Sequence, residues 1–148
     1  MDNKTVIRGV VLLLFAIIFG AFLAHSLGQV LSPQQLVSFE TGVKFQFYAG
    51  FFLLILGLNQ SKFPFSLKWI THLFFLGGCL FSFSIYLLNL FSGNSVTKFL
   101  GPITPVGGSL MIIALFLFLF KLLKTSEIWF LLNLQKWKTT HICGKTIN

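Results

Sequence analysis

Four stretches of this chain are long and apolar enough to cross a lipid bilayer as helices. They cover about residues 6–27, 41–58, 69–91 and 103–123. A bilayer core about 30 Å thick requires about 20 helical residues, and backbone polar groups inside it need partners within the protein. Because the intervening loops are short, sequential helices become antiparallel neighbours. The sequence therefore predicts an all-α integral membrane four-helix bundle with up-down-up-down topology.

The composition argues against a water-soluble core and against a nucleic-acid-binding surface. Only 9% of the residues are charged and 55% are hydrophobic, whereas soluble domains carry about 25% charged residues. The formal net charge of +8 does not indicate nucleic acid, because the basic residues are scattered singly between apolar spans. The lipid bilayer is the predicted partner, and no nucleic-acid partner is expected.

The distribution of Lys and Arg predicts the orientation in the membrane. With four spans, the N-terminus, the second loop and the C-terminus share one side. That side holds nine basic residues, namely Lys4, Arg8, Lys62, Lys68, Lys121, Lys124, Lys136, Lys138 and Lys145. The opposite side holds Lys44 and Lys98. Because the excess of basic residues marks the cytoplasmic side, both termini are predicted to be cytoplasmic.

The chain divides into a transmembrane domain, residues 1–124, and a C-terminal extension, residues 125–148. Residues 126–137 mix apolar side chains with two Trp and flanking Lys, and they are too few to span a bilayer comfortably. Trp and Lys favour the headgroup zone. The extension is therefore predicted to be an interfacial helix or a disordered tail, with a frayed continuation of the fourth helix as the alternative.

The start of the second helix has a local signature. Ser32 is a favourable N-cap, Pro33 suits the first helical position, and Gln35 stands three residues after the cap. This pattern predicts that a helix begins at Pro33, as an amphipathic lead-in to the second span.

Small residues recur at every fourth position of the first span, at Ala16, Gly20, Ala24 and Gly28. Such positions line one helical ridge, and small side chains let membrane helices approach closely. The third and fourth spans add Gly78, Ser82, Gly107 and Gly108. We expect these residues to mediate helix packing within the bundle, and the ridge to serve a homo-oligomer or contacts with other membrane proteins. The alternative is the chance recurrence of common small residues.

Polar residues gather in the outer half of the predicted bundle. Glu40 and Lys44 stand four apart, in the favourable order for a helical ion pair. Ionisable residues in a span usually face the bundle interior or a water-filled cavity. These observations predict a polar site centred on His25 and Glu40, surrounded by Lys44, Gln46, Tyr48, Ser82, Ser84, Tyr86 and Thr104. The alternative is that His25 and Glu40 lie at the headgroup level and meet water.

The sequence lacks the motifs of catalysis and cofactor binding. The glycines of residues 101–108 lack the preceding strand and the following lysine of a phosphate-binding loop. H-E-x-x-H, Cys-x-x-Cys and G-x-S-x-G do not occur. His25 and His72 fall near opposite faces in the predicted topology, which argues against haem ligation. We therefore expect no enzyme activity, no cofactor and no metal.

Four sequence segments, in this order and spacing, point to a known family. They read GAFLAH, FETGVKFQFYA, LFSFSIYLL and LGPITPVGG, and they begin at Gly20, Phe39, Leu80 and Leu100. They resemble the Domain of Unknown Function 423 family of uncharacterised small membrane proteins. The resemblance covers about residues 6–123 and implies a four-helix protein of the bacterial inner membrane. It implies no biochemical activity.

The chain departs from that family pattern at three positions. Leu23 and Phe83 stand where the family usually has glycine, and Ala49 stands where it often has histidine. The missing histidine argues against a pair of histidines that would bind a metal or a proton.

The expected role is that of a multi-pass inner-membrane protein of uncharacterised biochemistry, as a structural or accessory membrane subunit. The alternative is a small transporter or channel with a polar site in the outer half of the bundle. A water-accessible cavity lined by His25, Glu40, Gln46 and Tyr86 would favour transport. A dry, well-packed bundle would favour the structural role.

Overall fold

The computed structural model describes the backbone of residues 1–91 and 100–143, and side chains as far as Ser126. The described part contains four long helices and no strand: α1 (Asn3–His25), α2 (Pro33–Leu58), α3 (Lys68–Leu90) and α4 (Ile103–Cys143). Short 3₁₀ turns follow α1 and α2, at Leu27–Gln29 and Gln60–Lys62. All four helices contain a stretch long and apolar enough to cross a membrane. The predicted all-α, four-span class is confirmed.

The N-termini of α1 and α2 are capped by side chains. Asp2 precedes α1 and accepts a hydrogen bond from the Lys4 backbone N–H. At α2 the Ser32 N–H donates to Gln35 Oε1 at 2.9 Å, and the Gln35 N–H donates to Ser32 Oγ at 3.4 Å. These two reciprocal bonds satisfy amide groups that have no partner inside a helix. The predicted helix start at Pro33 is confirmed.

Neighbouring helices run antiparallel, as the loop lengths predict. Close approaches pair Gly9 with Gly50, Gly78 with Ala49, and Gly77 with Gly107. Along each pair of helices, residue numbers rise on one helix as they fall on the other. Gly9 of α1 approaches Gly50 of α2, whereas Gly20 approaches Val43. Gly77 of α3 approaches Gly107 of α4, whereas Ser84 meets Thr104.

Burial differs among the helices. In the most apolar 18-residue stretch of each helix, 44% of the residues are buried in α2 and in α3, but only 17% in α1 and in α4. The helices α2 and α3 therefore form the centre, with α1 packed mainly on α2 and α4 on α3.

Glycine sets the distance between paired helices at two crossings. A Cβ atom on Gly9 would lie 2.8 Å from the Gly50 carbonyl oxygen, and one on Gly77 would lie 2.8 Å from the Gly107 carbonyl oxygen. Only a residue without a side chain permits such close backbone contact, and van der Waals packing of this kind drives helix association in lipid. The α1–α2 and α3–α4 pairs therefore depend on glycine.

The packing face of α1 differs from the predicted ridge. Ala16 is fully buried and Gly20 approaches Val43, but Ala24 and Gly28 are exposed, and Gly28 lies in the turn after α1. A strict four-residue repeat rotates by about 40° per step on a helix of 3.6 residues per turn, so it leaves the interface within a few steps. The observed face mixes steps of four and three, through Thr5, Gly9, Leu12 and Ala16.

The fourth helix continues past the predicted span as one helix to Cys143. As far as the backbone is described, the extension therefore continues the fourth helix, which was the alternative to an interfacial helix or a disordered tail. Side chains beyond Ser126 and the residues from 144 onward lie outside the described part. The interfacial position of the extension stays a prediction.

Candidate functional site

A hydrogen-bonded network at Gln46 joins three helices. Gln46 lies in the middle of α2 and has no exposed surface. Its amide oxygen accepts a hydrogen bond from the Tyr86 hydroxyl of α3 at 2.6 Å. Its amide nitrogen donates to the Leu12 carbonyl of α1 at 3.2 Å. Both ends of the Gln46 amide are therefore engaged, and we call Leu12, Gln46 and Tyr86 the buried network.

The buried network is enclosed by aromatic rings and close backbone. The rings of Phe19 and Phe39 each have centroids 4.5 Å from that of Tyr86. The Tyr86 ring also lies against Gly42, where a Cβ atom would fall 2.9 Å from the ring. One turn away, the Ser82 hydroxyl donates to the Gly42 carbonyl at 2.9 Å. Tyr86 keeps only 2% of its surface exposed and Gln46 none, so the network is closed off from the molecular surface.

Four residues of the predicted polar site lie outside the buried network. His25, Glu40, Lys44 and Tyr48 are exposed. Glu40 and Lys44 form the ion pair that their spacing predicts, at 2.9 Å. Within the described part of the chain, no hydrogen bond or ion pair joins His25 to Glu40. The structure therefore separates the predicted centre of the site from Gln46 and Tyr86.

Two further predicted residues meet between α3 and α4. The hydroxyl oxygens of Ser84 and Thr104 lie 2.7 Å apart. Ser84 also donates to the Phe81 carbonyl at 2.9 Å. An apolar cleft of about 230 Å³ borders this pair, lined by Cys79 and Phe83 among others. The pair ties α4 to α3 and is separate from the buried network.

The predicted site did not include Asn89, which forms a polar cluster where the start of α2 meets the end of α3. The Asn89 side chain donates to the Ser38 hydroxyl at 3.1 Å and to the Ile85 carbonyl at 2.8 Å. The Gln35 side chain donates to the Asn89 carbonyl at 3.3 Å. The sequence does contain a signal that could have located this cluster. Polar residues stand at the start of α2 and at the end of α3, and antiparallel packing makes these two ends neighbours.

The opposite end of the molecule carries a cleft of about 580 Å³ between the first turns of α1 and α3. Its lining includes three cationic side chains, Lys4, Arg8 and Lys68, and one carboxylate, Asp2. We call this feature the basic cleft. The sequence prediction counted these cations only as orientation signals. Because α1 and α3 both begin on the same side, their N-terminal charges converge.

The acidic side chain of the basic cleft is held in its charged form. The Thr5 hydroxyl donates to an Asp2 carboxylate oxygen at 2.7 Å. This hydrogen bond, together with the backbone N–H groups of Lys4 and Thr5 and the nearby Arg8 charge, holds the pKa of Asp2 below its ordinary value. Thr5 also approaches Thr71 of α3 at 3.5 Å between hydroxyl oxygens. Asp2 thus caps α1, and its own backbone N–H donates to the Gly57 carbonyl of α2 at 2.9 Å.

Comparison with known proteins places the chain in a family. A family model described as Protein of unknown function (DUF423) matches residues 19–108. A UPF0382 membrane protein of Staphylococcus haemolyticus is 36% identical over 107 residues, which cover 72% of this chain and 84% of the relative. One from Staphylococcus saprophyticus is 34% identical over 108 residues, covering 73% and 87%. The chain belongs to the DUF423 family. No solved structure gives a significant match.

In this DUF423 chain, the three positions that are expected to depart from the family pattern each contact a neighbouring helix. Leu23 packs against the cluster of Phe39, Val43 and Tyr86. Ala49 is fully buried beside Gly78. The Phe83 ring lies 6.2 Å from that of Phe19 between centroids. Ala49 is thus part of the core, whereas Leu23 is half-buried and Phe83 keeps 37% of its surface exposed. With four candidate spans and relatives named as membrane proteins, this DUF423 protein is a multi-pass membrane protein of uncharacterised role.

Proposed function

We propose that this chain is a structural or accessory membrane subunit, without enzyme activity, that packs with other membrane proteins or with further copies of itself. The buried network carries the proposal. Gln46 is fully buried and both ends of its amide are bonded within the protein. In the described part of the chain, no buried side-chain nitrogen or oxygen lacks a partner. A solute pathway needs polar groups that face water or the solute. The polar groups of the buried network instead form hydrogen bonds that join helices.

The proposal includes a location in the bacterial inner membrane with both termini in the cytoplasm. Six basic residues with described side chains lie at or near the end where α1 and α3 begin: Lys4, Arg8, Lys62, Lys68, Lys121 and Lys124. Lys44 is paired with Glu40 toward the other end. Lys98 and Lys145, with the side chains of Lys136 and Lys138, lie outside the described part. The excess of basic residues supports a cytoplasmic position for the first end.

Thiol accessibility distinguishes a packed subunit from a transporter. Cys79 and Cys143 are first replaced by Ala, and single thiols are then introduced as Ser82→Cys and His25→Cys. Intact cells are treated with a membrane-impermeant thiol reagent. We expect the His25→Cys thiol to react, because that position is exposed at the end of α1. We expect the Ser82→Cys thiol to stay unmodified, because Ser82 is fully buried.

Labelling after solubilisation in SDS is the control, and both thiols should then react equally. Modification of the Ser82→Cys thiol in intact cells would show that water reaches the middle of the bundle. That result would contradict the structural role and favour the small transporter or channel.

Purification in a mild detergent tests the accessory role directly. We expect the chain to migrate on native gels as a defined complex, either with a stoichiometric membrane partner or with further copies of itself. A lone monomer that takes up protons or a solute after reconstitution into vesicles would contradict the proposal. Fusions of a cytoplasmic reporter to residue 1 and residue 148 test the orientation, and both should be active.

A further inference from the structure

The basic cleft contains an arginine, Arg8, that forms no ion pair within 4.0 Å in the described part of the chain, although its charge acts on Asp2 from farther away. Arg8 is half-buried near the start of α1, and its guanidinium carbon lies 5.5 Å from the centre of the Phe75 ring. Charged residues inside an apolar span normally pair with an opposite charge. An external anion in the cleft would therefore give Arg8 the direct ion pair that it lacks.

The one carboxylate of the basic cleft does not neutralise it. Asp2 accepts hydrogen bonds from the Thr5 hydroxyl at 2.7 Å and from the Lys4 backbone N–H at 3.2 Å. Its oxygens are thus hydrogen-bonded at the start of α1, and its single charge offsets only part of the positive charge around it. With three cationic side chains against this single carboxylate, the lining keeps an excess of two positive charges.

The backbone adds positive potential at the same place. The first residues of both α1 and α3 line the basic cleft. Helix N-termini carry partial positive charge and unpaired N–H groups, and they attract anions. At α3 the N-cap residue Leu67 provides no side-chain cap, and the Ser66 hydroxyl accepts a hydrogen bond from the Lys68 N–H at 3.4 Å. The N-terminus of α3 therefore adds positive potential beside Lys4, Arg8 and Lys68, whereas that of α1 is already capped by the Asp2 carboxylate.

The surroundings of the basic cleft fit a lipid. Trp69 lines the cleft with 72% of its surface exposed, and tryptophan favours the headgroup level of a membrane. Toward the middle of the membrane, α1 and α3 present exposed apolar side chains at Val11, Phe15 and Leu76. A phospholipid whose phosphate lies in the cleft would therefore place its acyl chains along the apolar surfaces of α1 and α3.

We propose that the basic cleft binds the phosphate group of an anionic phospholipid, with the headgroup between α1 and α3 and the acyl chains along these helices. Phosphate is the shared chemistry of such a headgroup and of free inorganic phosphate. The apolar surface beside the cleft favours the lipid. Basic pockets between membrane helices recognise anionic headgroups in this way.

Lipid titration of the purified full chain tests the proposal. Native mass spectrometry from detergent measures binding of phosphatidylglycerol and of phosphatidylcholine. The variant Arg8→Gln/Lys68→Gln removes two cations of the cleft. The matched control Lys62→Gln/Lys124→Gln removes two cations near the same end that do not line it. Each cleft cation should contribute about fivefold to affinity, so the first variant should bind phosphatidylglycerol roughly 25-fold more weakly. The control should bind nearly as well as the unmodified chain.

Three results would overturn the proposal. An equal loss in both double variants would show general charge attraction. Equal affinity for phosphatidylcholine and phosphatidylglycerol would show that the negative charge is not recognised. Thermal stabilisation by inorganic phosphate equal to that by phosphatidylglycerol, and abolished in the cleft variant, would identify a free phosphate site instead. If the double variant does not fold, Lys68→Glu replaces it, because the Lys68 side chain is exposed and should tolerate the change. An affinity for phosphatidylglycerol that this charge reversal leaves unchanged would also refute the proposal.

Discussion

The packing of α3 on α4 depends on the absence of a side chain at Gly107. A Cβ atom there would lie 2.5 Å from the Phe81 backbone nitrogen and 2.9 Å from the Gly77 carbonyl oxygen. The next residue, Gly108, is a matched control. A Cβ atom on Gly108 would meet the Phe81 ring at 3.6 Å, which is ordinary van der Waals contact. The same substitution at two adjacent positions therefore separates backbone packing from every other effect of alanine.

The expected magnitude follows from these distances. In Gly107→Ala the backbones must separate by about 0.9 Å to restore a contact of 3.4 Å. Forcing extra atoms into a packed interface costs about 1–3 kcal/mol. Alanine also gains about 0.5–1 kcal/mol of helix propensity over glycine, and this gain applies equally to Gly108→Ala. We expect Gly107→Ala to be about 1–3 kcal/mol less stable than Gly108→Ala.

SDS titration in mixed micelles measures this difference. Far-UV circular dichroism follows unfolding, and the free energy of unfolding is compared among Gly107→Ala, Gly108→Ala and the unmodified chain. Gly28→Ala serves as a second control, because nothing lies within 4 Å of the added Cβ atom. Equal stability of the two adjacent variants, within about 0.5 kcal/mol, would refute the close backbone contact as the basis of the α3–α4 pair.

Three further outcomes are expected from the same titration. Tyr86→Phe should lower the free energy of unfolding by about 0.6 kcal/mol. Gln46→Leu should lower it by roughly 1–3 kcal/mol, because the Tyr86 hydroxyl loses its acceptor. A double-mutant cycle that shows no coupling between the two changes would contradict the buried network. Asp2→Ala should lose about 1 kcal/mol at neutral pH. Because folding lowers the pKa of Asp2, its charge contributes fully above pH about 4 and the loss should shrink as pH falls through the folded pKa; a loss independent of pH would count against this. Removing the exposed Glu40–Lys44 pair, as Glu40→Gln or Lys44→Gln, should change stability by less than about 0.5 kcal/mol.

Local features of the sequence were sufficient for the helices and their order. The apolar spans, the cap at Ser32 and the ion pair of Glu40 with Lys44 all involve residues close together along the chain. Their physics is hydropathy, capping and helical spacing, none of which requires knowledge of a neighbouring helix. Short loops then make antiparallel neighbours the simplest arrangement.

The contacts between helices depended on rotation about each helix axis. Ala16 faces the interior while Ala24 does not, although both belong to the same four-residue repeat. A helix rotated by one residue turns about 100°, and hydropathy varies too little around these apolar helices to specify that rotation. Gln46 and Tyr86 meet while His25 and Glu40 do not, for the same reason.

The sequence by itself determined a membrane protein of four antiparallel helices with an excess of basic residues on one side, because apolar length and charge are local properties. Only the tertiary structure decided which glycines meet backbone, which polar groups bond across helices, and that Arg8 and Lys68 line one cleft. Those outcomes depend on the rotation and depth of each helix against its neighbours. Close packing at Gly9, Gly77 and Gly107 sets that geometry.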